Sequence, residues 1–162
     1  MQTLNTPARP VSIRPMTAQD VSALAQILLG YPWTRYEMTR DRAEKVLHDG
    51  LAQNAQILVA QADGAPVGFV WFIQRGAFHH SGYIRLIGVA ESAKGLGAGK
   101  ALMEAAEQAC AAQSADMFLL VSDFNASAQA FYQRMGYAQV GALPDYVRPG
   151  IAELLMRKTL VV

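Results

Sequence analysis

The spacing of apolar residues changes period several times along the chain, and these changes divide it into strands and helices. Val11 to Arg14 reads as a short strand. After Pro15, Thr17 and Asp20 have capping-box spacing for a helix from about Ala18 to Leu29. Gly30-Tyr31-Pro32-Trp33 ends that helix and opens an aromatic-rich link. Ala43, Leu47 and Leu51, spaced by four, give a second helix over Arg40 to Gln53 one apolar face. The pattern then becomes strand-like. Gln56 to Ala62 and Pro66 to Gln74 form a hairpin around Asp63-Gly64, and Ser81 to Val89 is another strand.

A helix starts near Gly97 and runs through Ala112, with Leu102, Ala106 and Ala109 at helical spacing and alanines that allow close packing on a sheet. Phe118 to Ser122 is almost wholly apolar, as a central strand covered on both faces requires. Asn125 is placed to cap a helix from Ala126 to Met135, which Gly136 stops. Ala138 to Leu143 and Ala152 to Leu160 are the last two strands. The order β, α, α, β, β, β, α, β, α, β, β predicts an α/β fold of mixed type, a mixed sheet with helices on both sides. At 162 residues, the expectation is one domain over residues 11–162 behind a loose tail from Met1 to Pro10.

Composition narrows the function. Lys plus Arg at 14 against Asp plus Glu at 13 gives net +1, which argues against a nucleic-acid-coating surface. Apolar runs such as Met117 to Val121 are far short of the roughly 20 residues a bilayer span needs, so a soluble protein without membrane contact is expected. Cys110 is the only cysteine, which excludes an intrachain disulfide and a cysteine metal cluster and suits a small buried hydrophobe. The first ten residues have no signal-peptide pattern, and the cytoplasm is the default location.

The segment Lys94-Gly95-Leu96-Gly97-Ala98-Gly99-Lys100 lies between a strand and a helix. Helix-start N–H groups are unsatisfied donors that favour anions, and glycine lets a phosphate approach them. Two common phosphate motifs do not fit. A P-loop would need glycine where Lys94 stands and a hydroxyl where Ala101 stands, and a dinucleotide fingerprint begun at Gly95 would end on Lys100.

Lys94-x-x-Gly97-x-Gly99 resembles the pyrophosphate loop of the GNAT superfamily of acyl-CoA-dependent N-acyltransferases, [Q/R]-x-x-G-x-[G/A], with lysine in the usual Gln or Arg position. Asn125-Ala126-Ser127-Ala128-Gln129-Ala130-Phe131-Tyr132 through Gly136-Tyr137 resembles the family's N-x-x-[AS]-x-x-[FL]-Y-x-x-x-G-F stretch. The resemblance implies the single-domain acyl-CoA N-acyltransferase fold, with a splayed sheet that admits the pantetheine arm. It also implies acetyl-CoA as acyl donor and no metal. By that resemblance the coenzyme meets Ile87, Gly88, Val89, Lys94, Gly95, Leu96, Gly97, Ala98, Gly99, Lys100, Asn125, Ala128, Phe131 and Tyr132. Tyr132 takes the place of the family tyrosine that acts as acid toward the departing thiolate, an N–H near Gly88 would polarise the acyl carbonyl, and Tyr137 fills the core.

Aminolysis of a thioester also needs a neutral amine. The strand Tyr83 to Val89 contains no acid, and Arg85 cannot accept a proton at neutral pH. Histidine is a residue type used for general-base work, but His79 and His80 read foremost as loop residues; Glu91 reads as dressing of the loop, and the alternatives are a water chain to backbone carbonyls or an acceptor that arrives partly deprotonated. Acceptor selection is expected from Gly30 to Thr39, Arg75 to Ser81 and Leu143 to Gly150. Tyr31, Trp33 and Tyr36, with Arg35 and Glu37 between them, either line a pocket or staple the link, and Tyr146 and Arg148 offer a carboxylate or phosphate contact. The leading expectation is an N-acetyltransferase, drawn as a homodimer, that moves an acetyl group to a primary amine of a small molecule or protein by direct attack. A non-catalytic acyl-CoA-binding or sensor domain is the second reading, and a structural pairing module the third.

Overall fold

The computed structural model describes residues 9–160. Of the expected tail, residues 1–8 therefore lie outside the described part. The strands are β1 (Val11–Pro15), β2 (Gln56–Ala62), β3 (Ala65–Ala77), β4 (Ser81–Val89), β5 (Asp116–Ser122), β6 (Ala138–Leu143) and β7 (Glu153–Thr159), and the helices are α1 (Val21–Leu28), α2 (Arg40–Ala52), α3 (Ala98–Ala111) and α4 (Ala126–Arg134). One mixed sheet in the order β1-β2-β3-β4-β5-β7-β6 carries the strands, and among the described residues only β4 and β5 run parallel.

The expected element order holds, with shifts at the ends that have local causes. The first helix divides into a 3-10 turn over Ala18–Asp20 and then α1. Thr17 N–H donates to Asp20 Oδ2 at 2.8 Å, and both ends of the Arg14 guanidinium reach the same carboxylate at 2.8 Å, so the opening turn is pinned tightly. β3 runs past Gln74 to Ala77 because Ser81 of β4 pairs with it there.

Two apolar clusters sandwich the sheet. Leu24, Leu28, Leu47, Phe69 and Trp71 close one face under α1 and α2. Leu102, Met103, Ala106, Met117, Leu119 and Met156 close the other, which α3 and α4 cover. Cys110 is fully buried in the second cluster, where burial first and then Glu107 push its thiol up to about 11, as a small hydrophobe behaves. Tyr137 also fills this core and donates to Glu107 Oε1 at 3.0 Å. Lys158 holds Oε2 of the same carboxylate at 2.7 Å.

The sheet opens at its centre. β4 pairs with β5 only at Gly82, Tyr83 and Ile84, opposite Met117, Phe118 and Leu119. On its other edge, Trp71 of β3 pairs with Leu86 and Phe72 with Ile84, which leaves Arg85 as the extra residue of a β-bulge. A bulge bends its strand and increases its twist. Here it falls where β4 leaves β5, so from Arg85 to Val89 the edge of β4 facing β5 has no ladder partner among the described residues.

Candidate active site

The open part of the sheet is flanked by two adjoining cavities. The one at the carboxyl end of β4 measures about 570 Å³, and Ile87, Gly88, Val89, Lys94, Gly95, Gly97, Ala98, Gly99, Lys100, Asn125, Ala128, Phe131 and Tyr132 line it. All the residues expected at the coenzyme are thus gathered here except Leu96, which does not line the cavity and donates its N–H to Ala93 O at 3.2 Å.

The loop is shaped as a cradle. Gly95 and Gly97 have φ of +84° and +81°, a region that strains residues with a Cβ, and a Cβ on either would meet no atom of the described residues within 4 Å. The first helical bond of α3 is Ala101 N–H to Gly97 O at 3.0 Å. The N–H groups of Ala98, Gly99 and Lys100 therefore precede any intrahelical acceptor and lie at the positive end of the helix dipole. Open space beside unsatisfied donors is a good fit for a pyrophosphate. Lys94 is paired with Glu91 at 2.7 Å and Lys100 lies 3.8 Å from Glu104, all four well exposed, so Glu91 dresses the loop as expected.

α4 brings the second motif to the same cleft. Asn125 Oδ1 accepts from Ala128 N–H and from the Ser127 hydroxyl, both at 3.3 Å, so it is a helix cap. Asn125 borders both cavities, and its NH2 has no hydrogen-bond partner among the described residues. The two readings of Asn125, cap and ligand contact, are thus compatible. Tyr132 also borders both cavities while only 7% exposed, and its phenol bonds to none of the described residues. Burial pushes that phenol well above its ordinary range, so it stays protonated.

The second cavity, about 380 Å³, continues from Trp33, Ile87, Asn125, Ala128 and Tyr132 toward Tyr36, Met38, Tyr83, Arg85, Val147 and Glu153. The aromatic link both staples and lines. Tyr31 donates to Phe124 O at 3.3 Å and the Arg35 guanidinium sits 4.3 Å from the Phe124 ring centre, while Trp33 and Tyr36 form cavity wall. Of the three regions expected to choose the acceptor, Gly30–Thr39 supplies Pro32, Trp33, Tyr36 and Met38, and Leu143–Gly150 supplies Val147. Arg75–Ser81 supplies none, because the β3–β4 turn lies at the opposite end of β4. His79 and His80, in that turn, border neither cavity and stand about 20 Å of strand away from Ile87. Nor does Tyr146 line the cavity, and Arg148 is engaged with Glu37 at 2.8 Å and Arg35 O at 3.1 Å.

The sequence reading missed one acid. Glu153, the first residue of β7, pairs in register with Ser122 and is 5% exposed within the second cavity. The Tyr36 phenol donates to its Oε1 and also hydrogen-bonds Ser122, while Ser122 Oγ lies 3.5 Å from Oε2. Burial, and after it the Glu153 carboxylate, push the Tyr36 phenol up to about 12. The available signal was a glutamate at the head of an apolar run, Ile151-Ala152-Glu153-Leu154-Leu155.

The similarity of this chain to known proteins agrees with these features. The model of the acetyltransferase (GNAT) family matches residues 18–137, and the chain belongs to that family. Similar folds include a Desulfovibrio desulfuricans protein assigned to the GNAT acetyltransferases (TM-score 0.80, 19% identity, covering 94% of this chain and 100% of that one). An N-acetyltransferase from Staphylococcus aureus Mu50 follows at TM-score 0.74 and 16% identity, covering 94% and 99%. An aminoglycoside 6'-N-acetyltransferase complexed with coenzyme A reaches TM-score 0.76 at 17% identity, covering 93% and 98%. No curated protein matches the sequence.

Proposed function

We infer that this protein is an acetyl-CoA-dependent N-acetyltransferase that acts on a primary amine by direct attack within a ternary complex. The observation that carries the reading is the continuity of the glycine cradle, the unpaired edge of β4 and the protonated phenol of Tyr132 around one cleft. The N–H groups of Gly97 to Lys100 would hold the pyrophosphate. The unpaired backbone of Ile87 to Val89 would hold the pantetheine amides, with the Asn125 NH2 beside them. Bound there, the coenzyme supplies an acyl group activated as a thioester. Tyr132 keeps its proton at neutral pH and can deliver it to a sulfur that leaves as thiolate. The solved relative complexed with coenzyme A supports the donor assignment, since it shares the fold.

Cys110 is buried and its thiol stays protonated, which favours direct attack over an acyl-enzyme. A sensor domain is disfavoured by a second cavity that leads from Tyr132 to a buried acid. Calorimetric titration with acetyl-CoA, CoA and NAD tests the donor, and thiol release across a panel of amines tests the chemistry. Binding of NAD without CoA would overturn the reading, and acetyl-CoA binding with no amine-dependent thiol release would assign the sensor role.

A further inference from the structure

A carboxylate removed from water costs several kcal/mol unless it is paired. Glu153 is 5% exposed, and no Lys, Arg or His nitrogen lies within salt-bridge distance of it among the described residues. Tyr36 and Ser122 hold it by hydrogen bonds but bring no positive charge. The carboxylate borders a cavity walled by Trp33, Tyr36, Tyr83 and Val147. Aromatic faces add negative potential, and apolar walls strengthen the field of the buried charge.

We propose that Glu153, oriented by Tyr36 and Ser122, is the binding site for the ammonium group of the acetyl acceptor. The acceptor is a primary amine with a single positive charge on an apolar stem; it docks at Glu153 as the ammonium and attacks the thioester only after giving that proton to solvent. The inference rests on the acetyltransferase reading, which needs an amine delivered to Tyr132. Tyr132 and Glu153 border the same 380 Å³ cavity, so an ammonium at Glu153 enters the chamber whose other end meets the donor cleft. Arg42 and Arg85 also border the chamber. Arg42 is turned to the carbonyls of Tyr36 and Glu37, and Arg85 is stacked 3.9 Å from the Trp71 ring centre. Neither neutralises Glu153, and both disfavour a second positive charge on the ligand.

The ammonium can come from a free amine or from a peptide N-terminus. Phenethylamine and tetra-alanine amide probe the two sources, with 2-phenylethanol and acetylated tetra-alanine amide as uncharged counterparts. Calorimetric titration into the CoA-saturated protein should show at least one of the charged probes binding and its counterpart binding at least tenfold more weakly. Glu153→Gln should reduce the affinity of that charged probe at least tenfold, leave acetyl-CoA affinity within about threefold, and raise Tm, because a buried unpaired charge is lost. Tyr36→Phe, which keeps the charge but frees it to move, should weaken the probe severalfold and tests the site if Glu153→Gln folds poorly. A wild type that binds neither charged probe overturns the inference, as does unchanged probe affinity in the variants. A fall in Tm for Glu153→Gln without loss of probe binding would make Glu153 a structural residue. Failure of acetyl-CoA to bind the wild type would strike the proposed function instead, and it is read in a separate titration.

Discussion

The ring of Phe131 lies directly against Gly99: a methyl group on Gly99 would stand 3.4 Å from Phe131 Cζ. The first turn of α3 and the middle of α4 therefore meet across the donor cleft. Gly99→Val would add branched atoms against that ring and beside Val89, whose Cγ2 lies 3.7 Å from the same point. The expected outcome is a loss of acetyl-CoA affinity of about tenfold, about 1.4 kcal/mol, by calorimetry. Retained affinity would place the coenzyme away from this junction.

Tyr132 bonds to no described residue, so its phenol is free to act on a ligand. Tyr132→Phe should lower kcat by roughly 10²-fold or more, the ordinary size of a general-acid effect, while acetyl-CoA affinity changes by less than about threefold. Because burial raises the phenol's pKa, ionisation of Tyr132 should produce no alkaline fall in wild-type rate below about pH 10. If Tyr132→Phe weakens binding and spares kcat, the phenol serves recognition.

The pair Arg14–Asp20 gives a pH-dependent contribution to stability. Arg14 first, against the cost of burial, and then Thr17 hold the Asp20 carboxyl below its usual range. A carboxyl whose folded pKa is depressed stabilises fully above its unfolded value near 3.9, and that stability is lost as pH falls through the folded pKa. Asp20→Ala should cost about 2 kcal/mol at pH 7 by urea denaturation. The gap to wild type should narrow as the solution is taken below about pH 4. A gap that is constant with pH would mean that the loss is one of packing.

With its thiol raised to about 11 and fully buried, Cys110 should resist thiol-specific reagents in the native protein and react promptly in urea. Rapid labelling of the folded protein, followed by mass spectrometry, would contradict this burial.

The element order and the donor loop were legible because both rest on local signals: apolar period, capping residues and glycines at a helix start. Asn125 and Tyr132 were legible through their spacing. The bulge at Arg85 was not, because Tyr83-Ile84-Arg85-Leu86-Ile87 reads as an ordinary strand. Only the pairing of Trp71 with Leu86 and of Phe72 with Ile84 shows one residue too many. Glu153 was hidden for a related reason. Its neighbours in the cavity, Tyr36 and Ser122, stand 117 and 31 residues away, and a lone glutamate beside apolar residues does not announce what faces it. His79 and His80 suit a base by residue type alone, and the direction of β4 places them at the end away from the cleft.

The surplus residue at Arg85 also divides the labour between backbone and side chains. The donor cleft draws many of its hydrogen-bonding groups from main chain: an unzipped strand edge, a glycine turn and the start of a helix. The chamber beyond it is built of side chains from Trp33, Tyr36, Tyr83, Val147 and Glu153. Most single substitutions leave main-chain donors where they are, so new acceptor preferences can be tried in the chamber while the grip on the donor persists. The molecule is, in this sense, a fixed handle with an exchangeable bit.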